Sequence, residues 1–190
     1  VEVVYYSSLG SGETPPAGAR TARDHGDTEA AFGVFYTSGT TGLPKGALIL
    51  HRNVQNLAIG FSRFFGMSEA DRILQFSSYS FIMSLRQIWP TLIGGACLVL
   101  LRDPLRFGEV VNEHKVTKLV ITASALGVLD PAQHPSIKAV QFGGEKVPLK
   151  LVQQWAARGV VLKVGLGPTE LTGHAMCNPN VTADAERGTI

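Results

Sequence analysis

Six short apolar runs recur along this chain with amphipathic stretches between them, and that alternation limits the possible folds more than any single motif does. The runs are Phe32–Tyr36, Ile73–Phe76, Cys97–Leu101, Lys118–Thr122, Lys138–Phe142 and Val160–Val164, each read as a buried strand. Between them, His51–Phe65 places Val54, Leu57, Phe61, Phe64 and Phe65 at helical spacing. Phe81–Ile93, Leu105–His114 and Leu149–Arg158 are similar in kind. This order predicts an α/β fold, a parallel sheet with helices on both faces and so three layers. Ligands of such sheets lie outside the carboxyl ends of the strands. The loops after Tyr36, Phe76, Thr122, Phe142 and Val164 are therefore the ones to search.

With 190 residues, 45% of them apolar and 17% charged, the chain can bury one substantial core, and one domain is expected. Lys and Arg number 17 against 15 Asp and Glu, and a net charge of +2 creates no field that argues for a nucleic-acid or membrane partner. No apolar run approaches the roughly 20 residues of a membrane helix. No basic segment leads into an apolar one at the N-terminus, and a cytoplasmic location is expected. Cys97 and Cys177 match no metal or redox spacing and are read as buried structural thiols. Val1–Tyr6 reads as a strand and Ser7–Asp27 as a mobile connection, an opening that suggests a preceding region has been cut away.

The loop after Tyr36 runs Thr37-Ser38-Gly39-Thr40-Thr41-Gly42-Leu43-Pro44-Lys45-Gly46. Glycines let a backbone approach an anion with its amides turned inward, hydroxyls add donors, and a lysine adds a compact positive charge. The composition suits a polyphosphate. It differs from the common P-loop, because Lys45 follows Gly42 by three residues and Gly46 stands where that loop has its magnesium hydroxyl. The bland alternative is a flexible Gly/Thr linker, which has no reason to collect hydroxyls, a proline and a lysine directly behind a strand.

Tyr36–Gly46 resembles the phosphate-binding signature of the superfamily of adenylate-forming enzymes: acyl- and aryl-CoA ligases, luciferases and the adenylation domains of nonribosomal peptide synthetases. Ile137-Lys138-Ala139-Val140-Gln141-Phe142-Gly143-Gly144-Glu145 and Gly167-Pro168-Thr169-Glu170 resemble two later motifs of that superfamily, in the same order. Similarity also runs through Arg72–Phe76 and Leu92–Leu98. In style the chain is closer to the peptide synthetase branch. The resemblance implies a flavodoxin-like subdomain, residues 30–180, of the large N-terminal core of an adenylation domain. Residues 1–29 would be a strand and connection, and 181–190 would begin a connection to a β-rich subdomain, with a mobile C-terminal domain carrying a catalytic lysine beyond it.

The resemblance further implies that ATP and Mg²⁺ are the cofactors. Thr37, Ser38, Gly39, Thr40, Thr41 and Gly42 would hold the β- and γ-phosphates with Lys45 nearby, Thr169 would contact the α-phosphate, and Glu170 would help hold magnesium. Residue chemistry leaves an alternative in which Thr169 simply caps a helix. Gly143, Gly144 and Glu145, together with Gly165, Leu166 and Gly167, would bound the adenine side, and an ordinary tight turn is the alternative for the two glycines. Ile82, Met83, Arg86, Thr122, Gln141, Gly143, Gly165, Gly173 and His174 would line the acyl pocket. Arg86 could meet a second carboxylate there, but a long cation on a helix is expected to extend to solvent instead. His51, opening the helix after the phosphate strand pair, is read as structural, and neither it nor His174 is given a catalytic role.

Two departures from the family matter. Amino-acid-activating relatives have Phe-Asp at the start of the second helix, the aspartate pairing with the α-ammonium, where this chain has Phe81-Ile82. A buried ammonium without its counter-ion costs several kcal/mol. The expected substrate is therefore a keto, hydroxy or aryl acid or a modified amino acid. Before Gly167 the family has an asparagine and an adenine-stacking tyrosine, where this chain reads Val164-Gly165-Leu166, and losing that face weakens nucleotide binding by about 1 kcal/mol. The expected activity is formation of an acyl-AMP and transfer to the phosphopantetheine thiol of a carrier domain. The alternatives are a CoA ligase and a noncatalytic scaffold, and these 190 residues alone are expected to be inactive or very weak.

Overall fold

The computed structural model describes residues 3–4, 27–38 and 42–182. The readings of Ser7–Asp27 as a connection, of Gly39, Thr40 and Thr41 as phosphate ligands, and of 183–190 as the start of another connection lie outside the described residues, apart from Asp27.

The elements in chain order are β1 (Val3–Val4), β2 (Ala31–Thr37), β3 (Lys45–Leu50), α1 (His51–Phe65), β4 (Arg72–Gln75), α2 (Met83–Ile93), β5 (Cys97–Leu100), α3 (Phe107–Glu113), β6 (Lys118–Ile121), α4 (Ala123–Leu126), β7 (Ala139–Gly143), α5 (Leu149–Ala156), β8 (Val161–Leu166) and β9 (Met176–Val181). Short 3₁₀ turns cover Pro104–Arg106 and Thr169–Leu171. The main sheet has the order β1-β5-β4-β6-β7-β8-β9. Strands β5, β4, β6, β7 and β8 are mutually parallel, and β1 and β9 close the two edges antiparallel. The parallel order 5-4-6-7-8 is the doubly-wound order of flavodoxin-like sheets, with its reversal between β4 and β6.

Alternate residues of each central strand supply two cores. Leu119 and Ile121 of β6 and Val140 and Phe142 of β7 pack with Phe107, Val110 and Val111 of α3 and with Leu151, Val152 and Trp155 of α5. Val120 and Ala139 face the other way, toward Val54, Leu57, Phe61 and Phe65 of α1 and Met83 and Leu85 of α2. Three layers result, as the pattern predicts. Helix α1 spans the predicted residues because its apolar stripe is continuous, Asn53 Oδ1 accepts the Leu50 amide at 2.9 Å, and Gly66 ends it at φ 59°. The predicted helix from Phe81 begins at Met83, preceded by a turn in which Phe81 donates to the Ser78 carbonyl at 2.9 Å.

Phe32–Tyr36 departs from its expected place. Strand β2 lies outside the parallel sheet in a two-stranded antiparallel ribbon with β3, and only Phe35 is buried. The connection, residues 38–44, is far shorter than the dozen or so residues a parallel crossover needs, so the chain must turn back on itself. Cys97 is buried as expected, whereas Cys177 is exposed on the edge strand β9. Among the described residues, no helix is long and apolar enough to cross a membrane.

Candidate functional site

The described residues of the phosphate-loop candidate, Thr37, Ser38 and 42–45, lie at one end of the β2–β3 ribbon. The base of the loop is closed by the Thr37–Lys45 pair, in which Thr37 Oγ1 donates to the Lys45 carbonyl at 3.4 Å. Gly42 sits at φ 87° with open space where a Cβ would project, a backbone conformation that side chains resist. Thr37 is half-buried, and Ser38 and Lys45 are exposed. The ribbon abuts the 3₁₀ turn Thr169–Leu171, with both β2 and β3 beside it. The ribbon strands that flank the Gly/Thr loop in sequence and the Gly167–Glu170 motif, over a hundred residues further along the chain, are thereby neighbours.

The Gly167–Glu170 segment leaves β8 and folds into a tight turn whose backbone is tied at several points. Gly173 donates to the Pro168 carbonyl at 3.0 Å, Thr172 to the Thr169 carbonyl at 3.0 Å, and Ala175 to the Leu166 carbonyl at 2.9 Å. A Cβ on Gly167 would collide with the Gly173 backbone, so the two limbs of the turn touch only because residue 167 has no side chain. Thr169 is the first residue of the 3₁₀ turn and caps nothing; its cap position is Pro168, with no side-chain bond. The alternative of a Thr169 cap is thus removed. Glu170 is exposed, as is Leu166.

At the carboxyl end of β7, Gly144 turns at φ 87°, and a Cβ there would lie 3.7 Å from Met83 Cε and 3.9 Å from Thr122 Cγ2. Glu145 reaches across to α4, accepting from the Ser124 amide and, at 2.9 Å, from the Ser124 hydroxyl. Those bonds, the amide first, hold its carboxyl below the usual range. The carboxylate therefore anchors the glycine turn to the β6–α4 corner.

The acyl-pocket candidates form one connected cluster on the α1/α2 face of the sheet. Ile82 meets Gly173, where a Cβ would lie 3.1 Å from Ile82 Cγ1. Met83 and Thr122 flank Gly144. Arg86 Nη1 donates to Gln141 Oε1 at 3.2 Å, and a Cβ on Gly143 would stand 2.8 Å from Arg86 Nη2. A Cβ on Gly165 would stand 3.3 Å from His174 Nδ1. Arg86 does not extend to solvent as expected. It is 2% exposed, because α2 lies flat on the sheet and points residue 86 at β7 rather than at the helix's outer face. Burial lowers its pKa to about 10, and its Nε has no hydrogen-bond partner. His174 is held between Phe61 and Phe64, with ring centroids 5.2 and 5.7 Å away. Burial, and after it the charge of Arg86, push its pKa down to about 4, so the ring is neutral at pH 7, and its Nδ1 is also unpartnered. Sequence spacing marks Phe61 and Phe64 only as core residues, since a helical stripe says which face is buried but not what it buries. Beside them a cleft of about 480 Å³ runs between α1 and the 3₁₀ turn, with Glu170, Leu171 and His174 on its wall.

A family model described as AMP-binding enzyme matches residues 4–190. The chain belongs to that family. It is 35% identical over 162 residues to nonribosomal peptide synthetase 1 of Aspergillus fumigatus, covering 84% of this chain and 2% of that protein. It is 35% identical over 147 residues to nonribosomal peptide synthetase vlms of Lecanicillium sp, covering 76% of this chain and 2% of that protein. The chain thus spans a very small part of these relatives. Among solved structures, the AMPPNP-bound form of the nonribosomal peptide synthetase FmoA3 matches with a TM-score of 0.74 and 25% identity, covering 86% of this chain and 18% of that one.

Within this AMP-binding chain, no group of three or more His, Cys, Asp or Glu side chains could hold a metal among the described residues. A lone exposed carboxylate such as Glu170 nevertheless fits magnesium bound to a nucleotide. That ion takes one or two protein carboxylates and completes its shell with phosphate oxygens and water.

Proposed function

We propose that this chain forms the nucleotide- and acyl-binding unit, residues 30–180, of an enzyme that activates a carboxylic acid with ATP as an acyl-AMP. The supporting observation is that the β2–β3 ribbon lies beside the Thr169–Leu171 turn, while the Gly143–Glu145 and Gly167–Glu170 turns leave the paired carboxyl ends of β7 and β8. The acid's oxygen attacks the α-phosphorus, that P–O bond forms as the bond to pyrophosphate breaks, and pyrophosphate departs with the electron pair. The protein's task in such a step is to position groups and neutralise charge. Lys45 and the loop hydroxyls and amides take the β- and γ-phosphates, and Thr169 takes the α-phosphate. Glu170 would hold magnesium, which would spread the phosphate charge. The adenine lies along Gly143, Gly144 and Gly165–Gly167, with exposed Leu166 as its apolar cover.

Ile82, buried beside Gly173, offers an α-ammonium no counter-ion. We therefore assign a substrate without an ordinary α-ammonium, passed to the phosphopantetheine thiol of a carrier domain, a destination that the peptide synthetase relatives favour over free CoA. ATP/pyrophosphate exchange by the full-length protein carrying this chain tests the reading with a panel of keto, hydroxy, aryl and amino acids. Exchange with a non-amino acid is expected, and none with any acid would sink the proposal.

A further inference from the structure

The acyl pocket buries a guanidinium that nothing balances. Arg86 is 2% exposed, and among the described residues its single bond to a side chain goes to the neutral Gln141 Oε1 at 3.2 Å. An unpaired buried charge costs several kcal/mol. Nothing in the packing requires a cation there, since Met83 and Leu85 beside it serve the core as apolar residues. Three features show a polar cluster seated closely on glycines with hydrogen-bonding groups left over for a ligand. Nε lacks an acceptor. Gly143 lets the guanidinium lie directly against the end of β7, since a Cβ there would stand only 2.8 Å from Nη2. Gly165 likewise makes room for Gln141, whose Nε2 would stand 2.5 Å from a Cβ there, and for His174, whose Nδ1 is also unpartnered.

The position along α2 sets a length. Ile82 touches Gly173, and Gly173 touches Gly167 at the mouth of the Thr169 turn, so the Ile82 end lies toward the reacting phosphate. Arg86 is one helical turn farther on, about 6 Å at 1.5 Å per residue. We propose that this pocket selects an acid bearing a second carboxylate, a dicarboxylic acid whose far group is received by Arg86 with Gln141 and His174 beside it. The same cation disfavours an α-ammonium, in accord with Ile82. This inference rests on the adenylating reading of the site.

The test uses glutarate and adipate against their mono-amides, which match them in shape and lack the second charge. In ATP/pyrophosphate exchange by the full-length protein, the diacid that fits best should exceed its mono-amide on the order of a hundredfold in kcat/KM, the scale of a charged hydrogen bond made in a buried site. Arg86→Gln should bring that ratio near one. A ratio is read because misfolding lowers both rates together. Gly143→Ala, which keeps the charge but displaces the guanidinium that packs against residue 143, should lower the diacid rate more than the mono-amide rate. Equal use of diacid and mono-amide by the parent protein, or a preference that survives Arg86→Gln, overturns the proposal, as does exchange confined to neutral aryl or hydroxy acids, which leaves adenylation standing. If no acid supports exchange, calorimetry on the AMPPNP-loaded protein decides. Heat with glutarate or adipate, absent with the mono-amides and lost in Arg86→Gln, upholds the pocket while the adenylating reading fails, and no heat overturns both.

Discussion

Gln87 Nε2 donates to the Val120 carbonyl at 2.7 Å, tying the middle of α2 to the central strand β6. The same fully buried amide accepts from the Ser77 amide at 3.0 Å and the Phe76 amide at 3.2 Å, and it donates to Ser77 Oγ at 3.1 Å. One side chain thus satisfies the backbone where the chain leaves β4, at the reversal point of the sheet, and fixes the helix that carries Met83 and Arg86. Gln87→Leu matches it in size and leaves these groups buried without partners. A loss of roughly 3 kcal/mol is expected, at 1–3 kcal/mol for each stranded group after some relaxation. It is read as a lower urea midpoint with an unchanged m-value. An unchanged midpoint would show that water replaces the amide.

His174 makes stability depend on pH in a definite window. Its folded pKa of about 4 lies below the ordinary 6.5, so the folded protein binds fewer protons than the unfolded chain between those values. The contribution is complete above pH 6.5 and is lost as pH falls toward 4. Its slope is at most about 1.4 kcal/mol per pH unit, less because the ring is partly exposed. His174→Gln should flatten this part of the stability curve. A curve that keeps its slope in the variant assigns the dependence to another group.

Much of this architecture is legible in the sequence because it rests on periodicity. The stripe of α1 and the strand-length runs at Ile73, Cys97, Lys118, Lys138 and Val160 depend on burial on both faces of a sheet, which composition reports directly. Phe32–Tyr36 misleads for the same reason: an apolar run does not say which strand it pairs with, and the shortness of 38–44 carries that information instead. The acyl cluster is legible only through resemblance, since Ile82, Gln141 and His174 share no spacing and meet by topology. The direction of Arg86 is not legible at all, because a cation on a largely apolar helix satisfies both the extended and the buried pattern.

The ribbon supplies a direct test of nucleotide binding. Lys45 stands exposed opposite Thr37 at the base of the loop, free to approach a phosphate without rearranging the core. Lys45→Ala should weaken AMPPNP binding by the full-length protein roughly tenfold, the worth of one charge-assisted contact. The unfolding midpoint should not move, since the residue buries little. Affinity equal to that of the parent protein would remove Lys45 from the phosphate site.

The contact between Gly167 and Gly173 would couple the proposed nucleotide turn to the proposed acyl pocket. The backbones on the two sides of the turn approach so closely that a methyl on residue 167 has no room, and the obstacle is main chain, which cannot rotate away as a side chain would. Gly167→Ala must therefore push Thr169 and Glu170 away from Gly173, and with Gly173 the wall against Ile82. Displacements of this kind, small in ångströms, are costly where catalysis is mainly positioning. Pyrophosphate exchange should fall on the order of a hundredfold, with nucleotide and acid both binding more weakly because both sites share the turn. Gly42→Ala provides the contrast. Its Cβ meets nothing within 4 Å and only the positive φ resists it, so that variant should weaken nucleotide binding while acid binding stays as it was. If Gly167→Ala impairs one ligand alone, the two sites are not joined through this turn.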